Sequence, residues 1–181
     1  MKKYDEAIED YQRAIKIEPN NPRFLHSMGL AYEILGDKSN AIKFYEESLE
    51  LDDNYFASRF HLGKQYHKNQ EFNKALQCFT RVLQVFVNSK DTFMHRGKVY
   101  QDMGNHQFAI QDFNSAIEID PCSWSYFHRG VSKLKSRNIK DAEADFKKAL
   151  DIEQEKHIPE NDRNPGIYDG LGSCYHIVQD Y

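Results

Sequence analysis

Histidine recurs at one spacing along this 181-residue chain, and its imidazole is a common metal ligand and the side chain that titrates nearest neutral pH. His61 and His95 are 34 residues apart, and His128 follows 33 residues later. A zinc ion needs ligands within about 2.1 Å, so a shared site would require the three rings to converge. The helices that carry the histidines decide whether they can.

The other side chains that commonly do chemistry lack the spacing that enzymes use. The three cysteines, Cys78, Cys122 and Cys174, are odd in number and form no CxxC pair, which indicates reduced intracellular thiols. The sequence contains no GxSxG, no GxxxxGK[ST] and no HExxH. Its acidic residues follow helix-surface spacing, as in IEDYQRAIKIE. We therefore expect no enzyme, no catalytic residue and no cofactor.

Composition limits the partners and the compartment. The formal charge of −4 and the pI near 6.1 argue against nucleic-acid binding, which depends on clustered lysine and arginine. No stretch reaches the ~18 apolar residues that span a bilayer, and the N-terminus lacks the apolar core of a signal peptide. These features predict a soluble cytoplasmic protein without membrane insertion.

The chain repeats with a period of about 34 residues. A glycine followed by an alanine twelve residues later recurs, and an aromatic residue lies four positions after each alanine. The glycines are Gly29, Gly63, Gly97, Gly130 and Gly172, and the alanines are Ala7, Ala41, Ala75, Ala109 and Ala142. Apolar residues at i, i+3, i+4 and i+7 predict two helices per repeat. Because glycine costs about 1 kcal/mol inside a helix, we expect it to permit close approach of the two helices, with glycine against alanine.

This pattern resembles the tetratricopeptide repeat (TPR), whose core reads W-x2-L-G-x2-Y, then A-x3-F, then P. The resemblance covers essentially the whole chain and implies an all-α fold, a right-handed α-solenoid of about ten helices. Asp53, Val87 and Gln154 replace the closing proline. Lys133 replaces the tyrosine of the fifth repeat, which predicts a weaker core there.

The register divides residues 1–181 into a single array of segments. We predict the second half of a repeat at 1–20, repeats at 21–54, 55–88, 89–121 and 122–154, an inserted polar loop at 155–164 and the first half of a repeat at 165–181. Leu171 and Tyr175 in the last half would then await an absent helix. We expect a fragment of a longer array; the alternative is that the two ends pack on other chains.

Charged residues are exchanged in pairs between repeats. In the fourth repeat, Arg96 precedes the repeat glycine and Asp112 precedes the aromatic residue of the second helix. In the fifth repeat, Arg129 and Asp145 occupy these two positions. The same positions hold Met28 with Phe44, and Leu62 with Cys78, in the two preceding repeats. We predict that each pair touches across its repeat, as a bidentate ion pair when charged.

In the TPR family, ligands usually lie along the concave surface of the first helices. Transferred to this chain, that surface comprises Phe60, His61, Lys64, Lys68, Met94, His95, Lys98, Trp124, Phe127 and His128. Trp124 is either an anchor in this groove or an edge residue that shields the short loop before it. Adjacent first helices lie on the order of 10 Å apart, so we expect no metal at the three histidines, although a proton-sensitive groove remains possible.

These residues predict a protein–protein interaction scaffold that binds an acidic or aromatic-containing peptide or helix. Phe60, Lys64, His95, Trp124 and His128 do not match the family's carboxylate clamp, which argues against a chaperone-tail adaptor. One alternative is a structural subunit of a cytoskeletal, ciliary or transport assembly that contacts partners through its ends and convex face. The other is the targeting region of a larger enzyme.

Overall fold

The computed structural model describes residues 2–159 and 162–179, with side chains described for 6–159 and 162–177. This part of the chain forms ten α-helices and contains no strand, which confirms the all-α prediction. The chain divides into two compact units, residues 1–85 and 86–181, and each is described by itself. The predicted division into repeats of one array stays a prediction.

The described part of each unit contains five helices. Unit 1 consists of α1 (Lys2–Ile17), α2 (Pro22–Leu35), α3 (Lys38–Leu51), α4 (Phe56–Lys68) and α5 (Phe72–Val85). Unit 2 consists of α6 (Lys90–Asp102), α7 (His106–Ile119), α8 (Ser123–Lys135), α9 (Ile139–Glu155) and α10 (Pro165–Gln179). Within a unit, each helix packs mainly on its neighbours in the sequence.

Two helices begin at an asparagine followed by proline. The Asn21 side chain accepts a hydrogen bond from the Arg23 amide at 3.1 Å, and Pro22 is the first residue of α2. The Asn164 side chain accepts from the Gly166 amide at 3.0 Å at the start of α10. Proline is tolerated here because the first helical amides have no partner within the helix.

The repeated glycines allow close approach, and the side-chain atoms nearest to each of four of them belong to an aromatic ring. An added Cβ would lie 2.5 Å from the Tyr45 ring at Gly29, 2.9 Å from Phe79 at Gly63, 2.8 Å from Phe113 at Gly97 and 2.9 Å from Phe146 at Gly130. These four rings are fully buried, as are the matching alanines. The ring four residues after each alanine thus fills the space that the missing side chain leaves, and the predicted glycine–alanine contact stays a prediction.

The last helix packs through a different glycine. A Cβ at Gly170 would lie 2.5 Å from the Phe146 ring, whereas a Cβ at Gly172 would meet nothing within 4 Å. Leu171 is partly buried and packs against a core cluster formed by residues of α9 and α10, and its dependence on an absent helix stays a prediction. Tyr175 remains 49% exposed. Half a turn separates the face of α10 that is packed from the face that is open.

Both predicted ion pairs are present and bidentate. Arg96 donates from Nε to Asp112 at 2.8 Å and from Nη2 at 2.7 Å, while Arg129 makes the same bonds to Asp145 at 2.9 and 2.6 Å. Lys133 joins the second pair, with its Nζ 2.8 Å from the Asp145 carboxylate. The Lys133 ammonium thus contacts a buried carboxylate. Lys133 therefore makes a polar contact at the position where the family has a tyrosine.

The segment after α9 is tied to the helices on either side. Glu153 is buried, and its carboxylate accepts from the Ser123 hydroxyl at 2.7 Å and from the Asn164 amide at 3.2 Å. The Arg163 guanidinium donates to the carbonyl of Ile158 at 3.1 Å. Residues 160 and 161 of the predicted inserted loop lie outside the described residues.

Candidate functional site

A single carboxylate gathers most of the predicted binding residues of unit 1. Glu33, near the end of α2, accepts a hydrogen bond from the Tyr45 hydroxyl at 2.9 Å and lies 3.1 Å from His61 Nδ1. The ammonium groups of Lys68 and Lys64 lie 3.1 and 3.5 Å from its other oxygen. Three helices therefore converge on a side chain that is only 13% exposed.

The environment of Glu33 keeps it ionised. Burial would raise the pKa of the carboxyl, but hydrogen bonds from His61, Lys68 and Tyr45 and the charge of Lys64 outweigh it and hold that pKa far below its usual range. Burial and the neighbouring carboxylate raise the pKa of the Tyr45 hydroxyl, which stays protonated. Two ammonium groups share one carboxylate, so one positive charge is left over at this surface.

Aromatic rings border the same charges. The Phe60 ring lies edge-on to His61 at 5.6 Å, and the Lys64 ammonium is 5.9 Å from the Phe60 centroid. His61 also packs 5.6 Å from the Tyr45 ring, so this histidine covers the aromatic residue of the preceding helix. Phe60, His61, Lys64 and Lys68 thus form one surface on α4, which we call the α4 surface.

Unit 2 contains the same arrangement with an amide in place of the carboxylate. His128 Nδ1 donates to the Gln101 carbonyl oxygen at 2.8 Å, and the Gln101 amide donates to the His128 backbone oxygen and to Ser132, both at 2.8 Å. His128 packs 5.9 Å from Phe113, just as His61 packs on Tyr45. Burial, with a smaller effect of the charge of Lys98, lowers the pKa of His128 to about 4.

The aromatic residues predicted for unit 2 are in contact with His128. The Trp124 ring centre lies 4.0 Å from the imidazole, and the Phe127 ring lies edge-on to it at 4.9 Å. Lys98 pairs with Asp102 on the same helix, so its charge is compensated. Met94 and His95 are half-buried on α6. Trp124 packs into this aromatic group, and its role as an anchor stays a prediction.

Sequence reasoning missed Glu33 and the way that Gln101 acts. Each lies four residues after a repeat glycine, and each bonds the recurring histidine of the next first helix, 28 and 27 residues later. A polar acceptor at that position, followed by a histidine at that distance, is the signal that could have identified both. This signal is hard to recognise because Glu33 resembles any other acidic residue on a helix surface.

His26 on α2, Ser48 on α3 and Ser58 on α4 lie close together but do not form a hydrolytic site. Ser58 donates to Ser48 at 2.8 Å, and Ser48 donates to the Pro22 carbonyl at 2.9 Å. His26 Nδ1, 3.1 Å from the Ser58 oxygen, must therefore donate, so it cannot remove the serine's proton. Ser58 is also fully buried. This chain of hydrogen bonds links α2, α3 and α4.

Within residues 2–159 and 162–179 there is no group of three or more histidine, cysteine, aspartate or glutamate side chains arranged to hold a metal ion. None of the helices described is long and apolar enough to cross a bilayer.

Comparisons with known proteins agree with this architecture. A family model described as TPR repeat matches residues 1–36, and models described as tetratricopeptide repeat match 22–55, 91–121 and 125–156. The solved structure titled "Crystal structure of MamA" is 28% identical, with a TM-score of 0.81 over 85% of this chain and 91% of that one. The fold is therefore an all-α TPR solenoid.

Curated relatives carry the same repeats within longer proteins. Anaphase-promoting complex subunit 3 of Schizosaccharomyces pombe is 27% identical over 116 residues, 64% of this chain and 17% of that protein. Human tetratricopeptide repeat protein 6 is 32% identical over 69 residues, 38% of this chain and 13% of that protein. The chain thus spans less than a fifth of either relative.

Scaffolds of this kind are generally non-enzymatic, and the likenesses support a protein–protein interaction scaffold. The chain belongs to the tetratricopeptide-repeat family.

Proposed function

We propose that this scaffold binds an acidic peptide or helix on the α4 surface of unit 1. The observation that carries the proposal is the sharing of Glu33 by Lys64 and Lys68, which leaves one positive charge without a counterion in the described residues. Lys68 is 48% exposed, so its ammonium can exchange one of its contacts for a ligand carboxylate. The adjacent Phe60 ring offers apolar area.

The predicted binding residues of unit 2 favour an aromatic or apolar ligand side chain over a charged one. Trp124, Phe127 and His128 pack together and are each partly exposed, whereas Lys98 is paired with Asp102. A separate ligand on this second group would carry an apolar or aromatic side chain. We propose a cytoplasmic location, with a cytoskeletal or ciliary assembly as the alternative.

The test is a titration of labelled blocked peptides that carry glutamate and phenylalanine. Lys64→Ala and Lys68→Ala should each weaken binding about two- to fivefold, as expected for partly exposed charges. Phe127→Ala should weaken only peptides that contain the aromatic residue. Lys43→Ala is the matched control, since Lys43 is an exposed lysine on α3 that pairs with Glu47.

Salt dependence provides a second readout. The affinity of an acidic peptide should fall as ionic strength rises, because the contacts are screened at the surface. Equal affinities in wild type and both lysine variants would exclude the α4 surface. Stronger binding of a basic peptide than of its acidic counterpart would do the same.

The second candidate function is that of a structural subunit that contacts a partner chain through α10. Tyr168 and Tyr175 are 45% and 49% exposed, and Gly172 between them offers the open space that an aromatic ring fills at the other repeat glycines. This face would bind a helix of a partner chain. Analytical ultracentrifugation of wild type and Tyr175→Ser would show the contact as association that the variant loses; identical monomeric profiles would leave the groove as the better candidate.

A further inference from the structure

The last helix, α10, has a space beside its repeat glycine that is filled in the earlier repeats. At the four earlier repeat glycines, an added Cβ would lie 2.5–2.9 Å from an aromatic ring, whereas at Gly172 it would meet nothing within 4 Å. Tyr175, three residues later, is 49% exposed. Among the described residues, α10 therefore lacks the ring that a second helix supplies to every earlier first helix.

The N-terminal helix, α1, carries the residues that would fill this space. Ala7, Tyr11 and Ala14 have the spacing of the alanine, the aromatic ring and the second small residue in the other second helices. The matching rings and alanines of α3, α5, α7 and α9 are fully buried. Ala7, Tyr11 and Ala14 all stay partly exposed, and no described glycine has the Tyr11 ring among its nearest atoms. α1 is thus a second helix whose ring has no glycine of a first helix against it.

A second contact accompanies the glycine and the ring in the complete repeats. The residue three positions after the glycine meets the residue that precedes the ring. Tyr32 stacks on Phe44 with ring centres 5.3 Å apart, and the Lys133 ammonium lies 2.8 Å from the Asp145 carboxylate. These two positions therefore touch whether they are aromatic or charged.

On α10 and α1 the same two positions hold Tyr175 and Asp10. With α1 against α10 in the register of a repeat, the Tyr175 hydroxyl can donate a hydrogen bond to the Asp10 carboxylate. Arg13 on α1 already pairs with that carboxylate at 3.4 Å. The position before the glycine, an arginine in the fourth and fifth repeats, is Leu171 on α10 and offers no charge. Asp10 therefore makes such a contact weaker than the contacts within the chain.

We propose that α10 of one chain binds α1 of a second copy of this chain, with the Tyr11 ring against Gly172 and the Tyr175 hydroxyl on Asp10. The proposal rests on the second candidate function, a contact through α10, and names its partner. Since α1 packs on α2 in its own chain, its docking on α10 continues the packing of consecutive helices. The two surfaces differ, so each added copy leaves a free α1 and a free α10, and copies can join end to end.

The first test is sedimentation velocity of the whole chain over a range of concentrations. The average mass of wild type should rise with concentration and pass that of a dimer, as a head-to-tail contact requires. Gly172→Ala should weaken this association about fivefold or more, because its Cβ takes the space of the Tyr11 ring without disturbing the free chain. Ser173→Ala is the matched control and should change nothing, since Ser173 is exposed and its hydroxyl donates to the Asp169 carbonyl within α10.

A substitution on α1 should strengthen the contact. Asp10→Phe recreates the pair that Tyr32 and Phe44 form in the second repeat, so it should tighten association at least about fivefold. Adding Gly172→Ala to the same chain should remove this gain. A gain that survives Gly172→Ala would show that the new ring associates elsewhere, and would overturn the proposal.

Mixing two variants tests the head-to-tail arrangement. Tyr11→Ser disables α1 and Gly172→Ala disables α10, so each chain alone should associate weakly, while their mixture should form a dimer and nothing larger. A wild type that stays monomeric up to about 1 mM, or a Gly172→Ala chain that associates as tightly as wild type, would overturn the proposal. Association that Tyr175→Ser loses but Tyr11→Ser retains would keep the α10 contact of the second candidate function and exclude α1 as its partner.

Discussion

Arg96 and Asp112 meet through two hydrogen bonds, from Nε at 2.8 Å and from Nη2 at 2.7 Å, with the carboxylate side chain only 6% exposed. The same positions of an earlier repeat hold Met28 and Phe44. One scaffold position therefore accepts either a desolvated ion pair or two apolar side chains. Because a buried charge without its partner is costly, the two residues must change together.

The first prediction is that Arg96→Met alone destabilises the protein by about 3–5 kcal/mol, since it leaves the Asp112 carboxylate buried without its arginine. Arg96→Met combined with Asp112→Phe should restore stability to within about 1 kcal/mol of wild type, because it recreates the pair of the second repeat. Urea unfolding measures both. Arg13→Met, which removes exposed pairs with Glu9 and Asp10, is the control and should cost below about 0.5 kcal/mol. Equal losses in the single and double variants would contradict the exchange.

The Arg96–Asp112 contact could be predicted from the sequence because the repeats provide four internal comparisons in one register. The glycines and the aromatic residues in register with them predicted that the helices approach closely, but spacing alone does not specify that ring atoms lie nearest to each glycine, since it does not fix the direction of a side chain. Glu33 was not predicted, because within α2 alone it resembles a solvated acid and its partners come from α3 and α4.

The second prediction compares two glycines. Gly97→Ala should destabilise the protein by about 1–2 kcal/mol, because its Cβ would lie 2.8 Å from the Phe113 ring and overpacking outweighs the gain in helix propensity. Gly172→Ala should stabilise it by about 0.5–1 kcal/mol, because its Cβ would meet nothing within 4 Å. Thermal unfolding compares the two. A stabilising Gly97→Ala would show that the ring can move aside at no cost.

The third prediction concerns acid stability. Burial lowers the pKa of His26 and of His128 to about 4, below the unfolded value of 6.5, so the folded protein keeps both rings neutral. The unfolded chain binds more protons between these values, and stability should therefore fall as the pH drops from about 6.5 to about 4. His128→Asn should flatten this slope in urea titrations at several pH values. A slope unchanged in this variant would mean that His128 is not held neutral.

The last prediction sets stability against binding at Glu33. Glu33→Gln removes the charge that Lys64 and Lys68 share, and an amide oxygen cannot accept from Tyr45, His61 and both lysines as the carboxylate does. We expect a loss of about 2–3 kcal/mol in the free energy of unfolding, since hydrogen bonds to a partly buried charge are lost. The same change leaves two positive charges unshared on the α4 surface, so an acidic peptide should bind about two- to fivefold more tightly.

Glu47→Gln, which removes an exposed carboxylate paired with Lys43, is the matched control and should alter neither quantity. Weaker acidic-peptide binding by a folded Glu33→Gln protein would mean that the carboxylate orients the lysines for the ligand and does not compete with it.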